Sequence, residues 1–279
     1  MQALRYLAPN LVTSGAIVLG LMAIIRGFEG HYVEAGWYIL WCGALDRIDG
    51  LVARLVRGSS EFGVQMDSFA DFLNFGVAPA LLVYSALSRA PGLPFSSGSG
   101  HTLLLISALL WVLGATARLA RFNVLKDEQV DSRMFFGIPT TLSAALLITW
   151  FLALQKYAPP GAPLHAPDQF PVGAVVPLEV GAGAWSALPI ALVAGALLMV
   201  SNVRMRKLSL LKSKLGNVVL LSLSAVATVF LALRVMPEYH AVLATIWLLM
   251  WSVRGVFDPE LRDMRPPPLF PTPDEKSAS

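Results

Sequence analysis

The sequence predicts an all-α integral membrane protein of about eight transmembrane helices. Three observations carry that reading. Hydrophobic residues make up 56% of the 279 positions and charged residues only 14%, with a mean hydropathy of +0.63. A soluble domain of this length carries about a quarter charged residues. Apolar stretches of about 20 residues recur along the chain, the length that spans a bilayer core as helix. The basic residues, finally, sort to one side of those stretches. No long polar block could house a second globular unit.

In order, the spans are expected at 9–27, 33–57, 65–88, 102–122, 137–156, 186–203, 215–234 and 239–256. The first follows Arg5; its apolar run, Leu11 to Ile25, is not closed by a small-residue cleavage site and reads as a span rather than a removable signal. The second and third carry acidic residues and are joined by a short loop, Gly58–Phe62. A Gly/Ser/Pro turn at Pro91–Gly100 precedes the fourth, and a Pro/Gly-rich stretch, Ala158–Gly183, follows the fifth. The tail, 257–279, contains the run PPPLFPTP and is expected to be disordered and cytoplasmic. No internal repeat is visible, which argues against an inverted-repeat transporter. Cys42 is the single cysteine, so no internal disulfide is possible, and it reads as small apolar filling.

Charge fixes the expected orientation. With the N-terminus in the cytoplasm, one side receives Arg5, then Arg47, Arg54 and Arg57, then Arg118, Arg121, Lys126 and Arg133. The same side receives Arg204, Arg206, Lys207, Lys212 and Lys214, then Arg254, Arg262, Arg265 and Lys276. The opposite side receives Arg26, Arg89, Lys156 and Arg234, which completes the 21 basic residues. That asymmetry is what the positive-inside rule expects, and it puts both termini in the cytoplasm of a multi-pass protein of the cell membrane. The run Arg204–Lys214 would set topology and touch anionic headgroups. Trp37, Trp41, Trp150, Trp185, Trp247 and Trp251 lie near span ends as interface-belt or packing residues. His31, His101, His165 and His240 all fall on the other side.

Carboxylates at membrane depth cost at least about 2.5–3.5 kcal/mol each at mid-bilayer, yet four sit near the cytoplasmic ends of the second and third spans. At about 100° per residue, Asp46, Asp49, Gly50 and Ala53 share one helical face, and Asp67 and Asp71 share a face of the next helix. The short connection lets the two faces meet. Converging carboxylates repel unless cations lie among them. All-oxygen ligation suits Mg²⁺ or Mn²⁺, and four carboxylates suffice for two ions, the arrangement used for in-line phosphoryl displacement. With no His or Cys nearby, zinc does not fit. A single Asp near a helix end is more often a cap or anchor, and small residues such as Gly50, Ala53 and Gly63 serve close helix packing as readily as a ligand. The four together point to metal chemistry.

These residues carry a resemblance. Asp46-x₂-Asp49-Gly50-x₂-Ala53-Arg54-x₈-Gly63-x₃-Asp67-x₃-Asp71 resembles the full signature of the CDP-alcohol phosphotransferases, without departure. Pro9-Asn10-Leu11-Val12-Thr13, Asp71-Phe72-x₂-Phe75-Gly76-Val77-Ala78-Pro79-Ala80, Arg118-Leu119-Ala120-Arg121-Phe122-Asn123 and Phe136-Gly137-Ile138-Pro139-Thr140 are similar to the phosphatidylserine synthase branch of bacteria and archaea. The resemblance implies a six-helix catalytic core, here 1–203, usually dimeric, with 204–256 as two added helices. It implies transfer of a phosphatidyl group from CDP-diacylglycerol to L-serine with release of CMP.

It also implies roles. Asp46, Asp49 and Asp67 would ligate a first metal, and Asp46, Asp67 and Asp71 a second, with Asp71 also the general base. Asn10, Thr13, Gly50, Ala53, Arg54, Ser60 and Gly63 would line the CDP-lipid site. An amino-acid acceptor needs a cation for its carboxylate, for which Arg118 and Arg121 on one helical face, beside Asn123, are candidates. Two alternatives stay open at this point: another acceptor, glycerol 3-phosphate or an inositol phosphate, and a cation transporter using the Asp cluster as a transit site.

Overall fold

The computed structural model describes residues 2–56, 60–127, 134–173, 180–206 and 213–257. Within them the chain forms α1 (Gln2–Glu29), α2 (Tyr32–Val56), α3 (Glu61–Asp71), α4 (Ala78–Arg89), α5 (Gly98–Asp127), α6 (Thr140–Tyr157), α7 (Ala187–Val200), α8 (Lys214–Ala232) and α9 (Pro237–Phe257). A π-helical turn, Phe72–Val77, joins α3 to α4, so Glu61–Arg89 is one continuous rod. The described residues therefore make eight helical rods at the expected places. Five of them are long and apolar enough to cross a membrane: Leu7–Glu29, Glu61–Arg89, Gly98–Val124, Gly183–Val200 and Lys214–Ala232. The chain is a helical membrane protein.

Three details differ from the expectation. Phe62 lies in α3, because Ser60 ends the connection as an N-cap, its Oγ accepting from the Gly63 backbone N–H at 3.0 Å. Phe257 is still helical, while the rest of the expected tail lies outside the described residues. A short antiparallel pairing also links β1 (Met134–Phe136) to β2 (Arg204–Arg206), with Phe135 opposite Met205. Three-residue strands are too short to show a period-2 pattern, so they are invisible to a periodicity argument.

The core is packed between α2, α4, α5, α6 and α7, with Trp37, Trp111, Phe151 and Trp185 fully buried. Small residues let α5 and α7 approach closely: a Cβ on Gly114 would lie 2.9 Å from the Ala196 Cα. Outward-facing side chains such as Leu11, Val18, Leu109, Leu113, Ile190 and Leu197 are aliphatic, as a lipid-facing surface requires. The stretch after α6 is not a free loop. Phe170 is buried against the core, and Val180 N–H donates to the Tyr157 carbonyl at 2.9 Å.

The two ends of the bundle differ in chemistry. One end gathers the N-termini of α1, α3 and α6 with the C-termini of α2, α5, α7 and α9. The other holds Tyr84 OH bonded to His101 at 3.0 Å, and Lys156 paired with Glu238 at 2.8 Å. His165 and His240 bond backbone carbonyls at that same far end.

Candidate active site

The acidic centre is assembled by two helix ends. α2 delivers Asp46 and Asp49 one turn apart; after the reversal, α3 delivers Asp67 and Asp71 one turn apart. Ligand oxygens of Asp46, Asp49 and Asp67 lie within 4.8 Å of one another. Asp71 lies near enough to Asp46 for the two carboxyl groups to interact. Four carboxyl groups at this range need positive charge or shared protons among them. Their hard-oxygen donor set fits a divalent cation such as Mg²⁺ or Mn²⁺, so the residues present suit a metal site.

The surroundings orient these groups. Thr13 on α1 places its hydroxyl 3.0 Å from Asp49 Oδ2 and 3.1 Å from the Pro9 carbonyl. Asp49 is buried, so that donor holds one lone pair of a carboxylate that solvent cannot reach freely. Thr13, expected at the CDP-lipid site, is here the hydrogen-bond donor to a carboxylate of the acidic cluster. Asn10, Ser60 and Gly63 are brought together: a Cβ on Gly63 would lie 3.0 Å from Asn10 Oδ1 and 3.2 Å from Ser60 Oγ. Glycine suits this close approach of α1 and α3, since any side chain would push on both of those polar groups. The Arg54 side chain lies beside Gly50, its Nη1 3.8 Å from where a Cβ would sit, and it remains exposed at the helix end. Ala53 occupies the α2 backbone between them; its side chain lies outside the described set.

On the other flank, α5 presents three polar residues with different fates. Buried Arg118 is close enough to Asp71 and Asp46 to be attracted by both. Its Nη1 donates a long hydrogen bond, 3.4 Å, to Thr140 Oγ1, and its guanidinium lies over the Phe122 ring. Arg121 faces α7 instead: it donates to Asn202 Oδ1 at 2.7 Å and to the Val200 and Ser201 carbonyls. It therefore caps the C-terminus of α7. Asn123 donates to Ser68 Oγ at 3.1 Å, tying α5 to the turn of α3 between Asp67 and Asp71.

Sequence reasoning passed over Thr140, Ser68, Asn202 and Asn74 as site residues. Thr140 had a signal, since it closes the Phe136–Thr140 motif. Ser68 and Asn74 fill variable positions of the Asp-rich pattern, where only a three-dimensional neighbour gives them meaning. Asn74 is buried in the π-helical turn, packed on Gly20 of α1.

A carboxylate cluster able to hold a metal ion, at one end of a helical bundle, defines a membrane protein with a candidate metal site. The family model for CDP-alcohol phosphatidyltransferases matches residues 6–176, and the chain belongs to that family. It is 40% identical over 152 residues to the CDP-diacylglycerol–serine O-phosphatidyltransferase of Helicobacter pylori, covering 54% of this chain and 60% of that protein. The proteins of that name from Mycobacterium tuberculosis and Methanocaldococcus jannaschii are 36% identical over 146 residues and 34% over 149. Those matches cover 50% and 53% of this chain and 47% and 62% of the relatives, so the chain spans about half to three fifths of their length.

Proposed function

We propose that this chain is a phosphatidylserine synthase, moving the phosphatidyl group of CDP-diacylglycerol onto the hydroxyl of L-serine and releasing CMP. The observation that carries the reading is the cluster of Asp46, Asp49 and Asp67, with buried Arg118 on the neighbouring helix close enough to Asp71 and Asp46 to be attracted by both. Asp46, Asp49 and Asp67 would hold one divalent ion, and Asp46, Asp67 and Asp71 a second. When bound, such ions neutralise the diphosphate and stabilise the departing CMP phosphate.

The chain's own groups do the rest. Asp71 accepts the serine hydroxyl proton as the serine oxygen bonds to the phosphorus that carries diacylglycerol. The bond from that phosphorus to the CMP phosphate oxygen breaks, and CMP leaves. Arg118 pairs with the serine carboxylate and holds the hydroxyl toward Asp71. Asn123 closes the pocket from α5, and Arg121 supports it from the α7 side. Asn10, Thr13, Gly50, Ala53, Arg54, Ser60 and Gly63 form the side that receives the CDP-lipid, with Arg54 at a phosphate.

A phosphorylated acceptor would call for a cluster of cations near Asp71. Arg121 is engaged by α7, which favours serine, and the names of the relatives point the same way. A transporter would not release CMP. In this reading all eight rods cross the membrane, 1–203 form the catalytic core, both termini and the site are cytoplasmic, and the enzyme works as a homodimer in the cell membrane.

The test incubates purified protein and CDP-diacylglycerol with serine, glycerol 3-phosphate or inositol phosphate, with and without Mn²⁺ or Mg²⁺. Metal-dependent CMP release with phosphatidylserine as the sole lipid product is expected, and another product would overturn the acceptor. Asp71→Asn should lower turnover by about 10²–10⁴-fold at saturating metal. Intact turnover in that variant would remove Asp71 as the base.

A further inference from the structure

We propose that the last helix, α9, is a working part of the acceptor side of the site, and that Gly255 is its positioning residue. This inference rests on the proposed transferase reaction. By sequence, α9 lies far beyond the family match at 6–176 and reads as an addition. In space, a continuous set of close contacts runs from it to Arg118.

The first contact is backbone on backbone. A Cβ on Gly255 would lie 1.8 Å from the Arg204 carbonyl oxygen and 2.9 Å from its carbon. No side chain fits there, and no flexible group could yield, so α9 is pressed directly on β2. One turn earlier, Trp251 packs with fully buried Met205 and with Ile138. β2 then holds the segment entering α6. Met205 pairs with Phe135, and Gly137 N–H donates to the Val203 carbonyl at 2.8 Å. Gly137 has φ +76°, and a Cβ there would lie 2.3 Å from the Met199 carbonyl oxygen. That segment has one permitted conformation, and it ends at Thr140.

Thr140 is fully buried, and its hydroxyl accepts from Arg118. A shift of β2 therefore moves Thr140, and with it the Arg118 guanidinium that bonds it. The acidic centre touches this path only at its Arg118 end, near Asp71 and Asp46: its carboxylates stand on α2 and α3, and Asp49 is held by Thr13 of α1. α9 should therefore act on the acceptor more strongly than on the CDP-lipid or the metals. A merely structural helix would lower apparent kcat in proportion to folded protein and leave both KM values unchanged.

The experiment measures KM for both substrates and kcat in full-length Gly255→Leu and Met205→Ala, each with the folded fraction from thermal unfolding in detergent. The acceptor used is whichever one the unaltered protein turns over, so failure of the serine assignment would be seen separately. We expect acceptor KM to rise about tenfold, with the KM for CDP-diacylglycerol and the metal requirement changed less than about twofold. Unchanged acceptor KM in folded protein would overturn the proposal, as would an equal rise in the KM values of both substrates. If Gly255→Leu does not accumulate folded, Met205→Ala, which adds no atoms, decides by the same readout.

Discussion

Thr13 shows what a single hydroxyl does here. It is the hydrogen-bond donor from α1 that holds the carboxylate of buried Asp49, so it sets which oxygen turns toward Asp46 and Asp67. Partners of metal ligands that orient them typically alter affinity by about 10–100-fold when removed. Thr13→Val keeps the shape and deletes the donor; it should raise the metal concentration for half-maximal activity by about tenfold, with little change in kcat at saturation. A metal-activation titration reads this directly. An unaltered titration would return Thr13 to the nucleotide side. The aspartates were legible one by one because fixed spacing on a helix implies a shared face. Thr13 was singled out by its motif, yet its partner was not legible, since the two stand 36 positions apart in the chain.

Among the elements, the rod Glu61–Arg89 and the contact between α6 and α9 repay attention. The π-helical turn Phe72–Val77 inserts into the rod directly after Asp71, rotating its downstream half against the upstream half. Trp111 Nε1 donates to the Phe75 carbonyl within that turn at 3.1 Å, a partner the irregular backbone makes reachable. Hydrophobic periodicity placed the rod within a few residues but could not show the turn, because one extra residue in a uniformly apolar run leaves the pattern unchanged. At the far end, Lys156 has no exposed side-chain surface and pairs with Glu238, whose Oε1 also accepts from Tyr157 OH. Removing one partner of such a pair costs about 3–5 kcal/mol, whereas replacing both by apolar groups is often neutral. Lys156→Met should lower the unfolding midpoint markedly, and adding Glu238→Leu should restore most of it. A loss in the double variant equal to the sum of the losses in Lys156→Met and Glu238→Leu alone would show that the pair carries no coupling.

For the molecule as a whole, the acidic centre joins α2 to α3 and is braced by α1, so cations bound there should brace three helices at once. Ligand that binds only the folded state adds about 2.7 kcal/mol of stability at one hundred times its dissociation constant. Mn²⁺ or Mg²⁺ should therefore raise the thermal midpoint of the unaltered protein by several degrees, EDTA should reverse it, and Asp46→Asn should abolish the response. A metal-independent midpoint would contradict a metal centre in the folded state.

By itself the sequence determined the helical membrane class, the sites of the eight rods and the four aspartates with their facing surfaces. Each of these follows from local rules: apolar length, charge at helix ends and about 100° per residue. Only the tertiary structure decided which polar groups meet. It turned Arg118 to Thr140, near the acidic cluster, and Arg121 to the end of α7, though the two lie three residues apart on one helix. It also set α9 on the strand that leads to Thr140. The reason is physical: in a bundle where nearly every face is apolar, hydropathy does not specify neighbours. Close backbone approach at small residues and a few buried hydrogen bonds do.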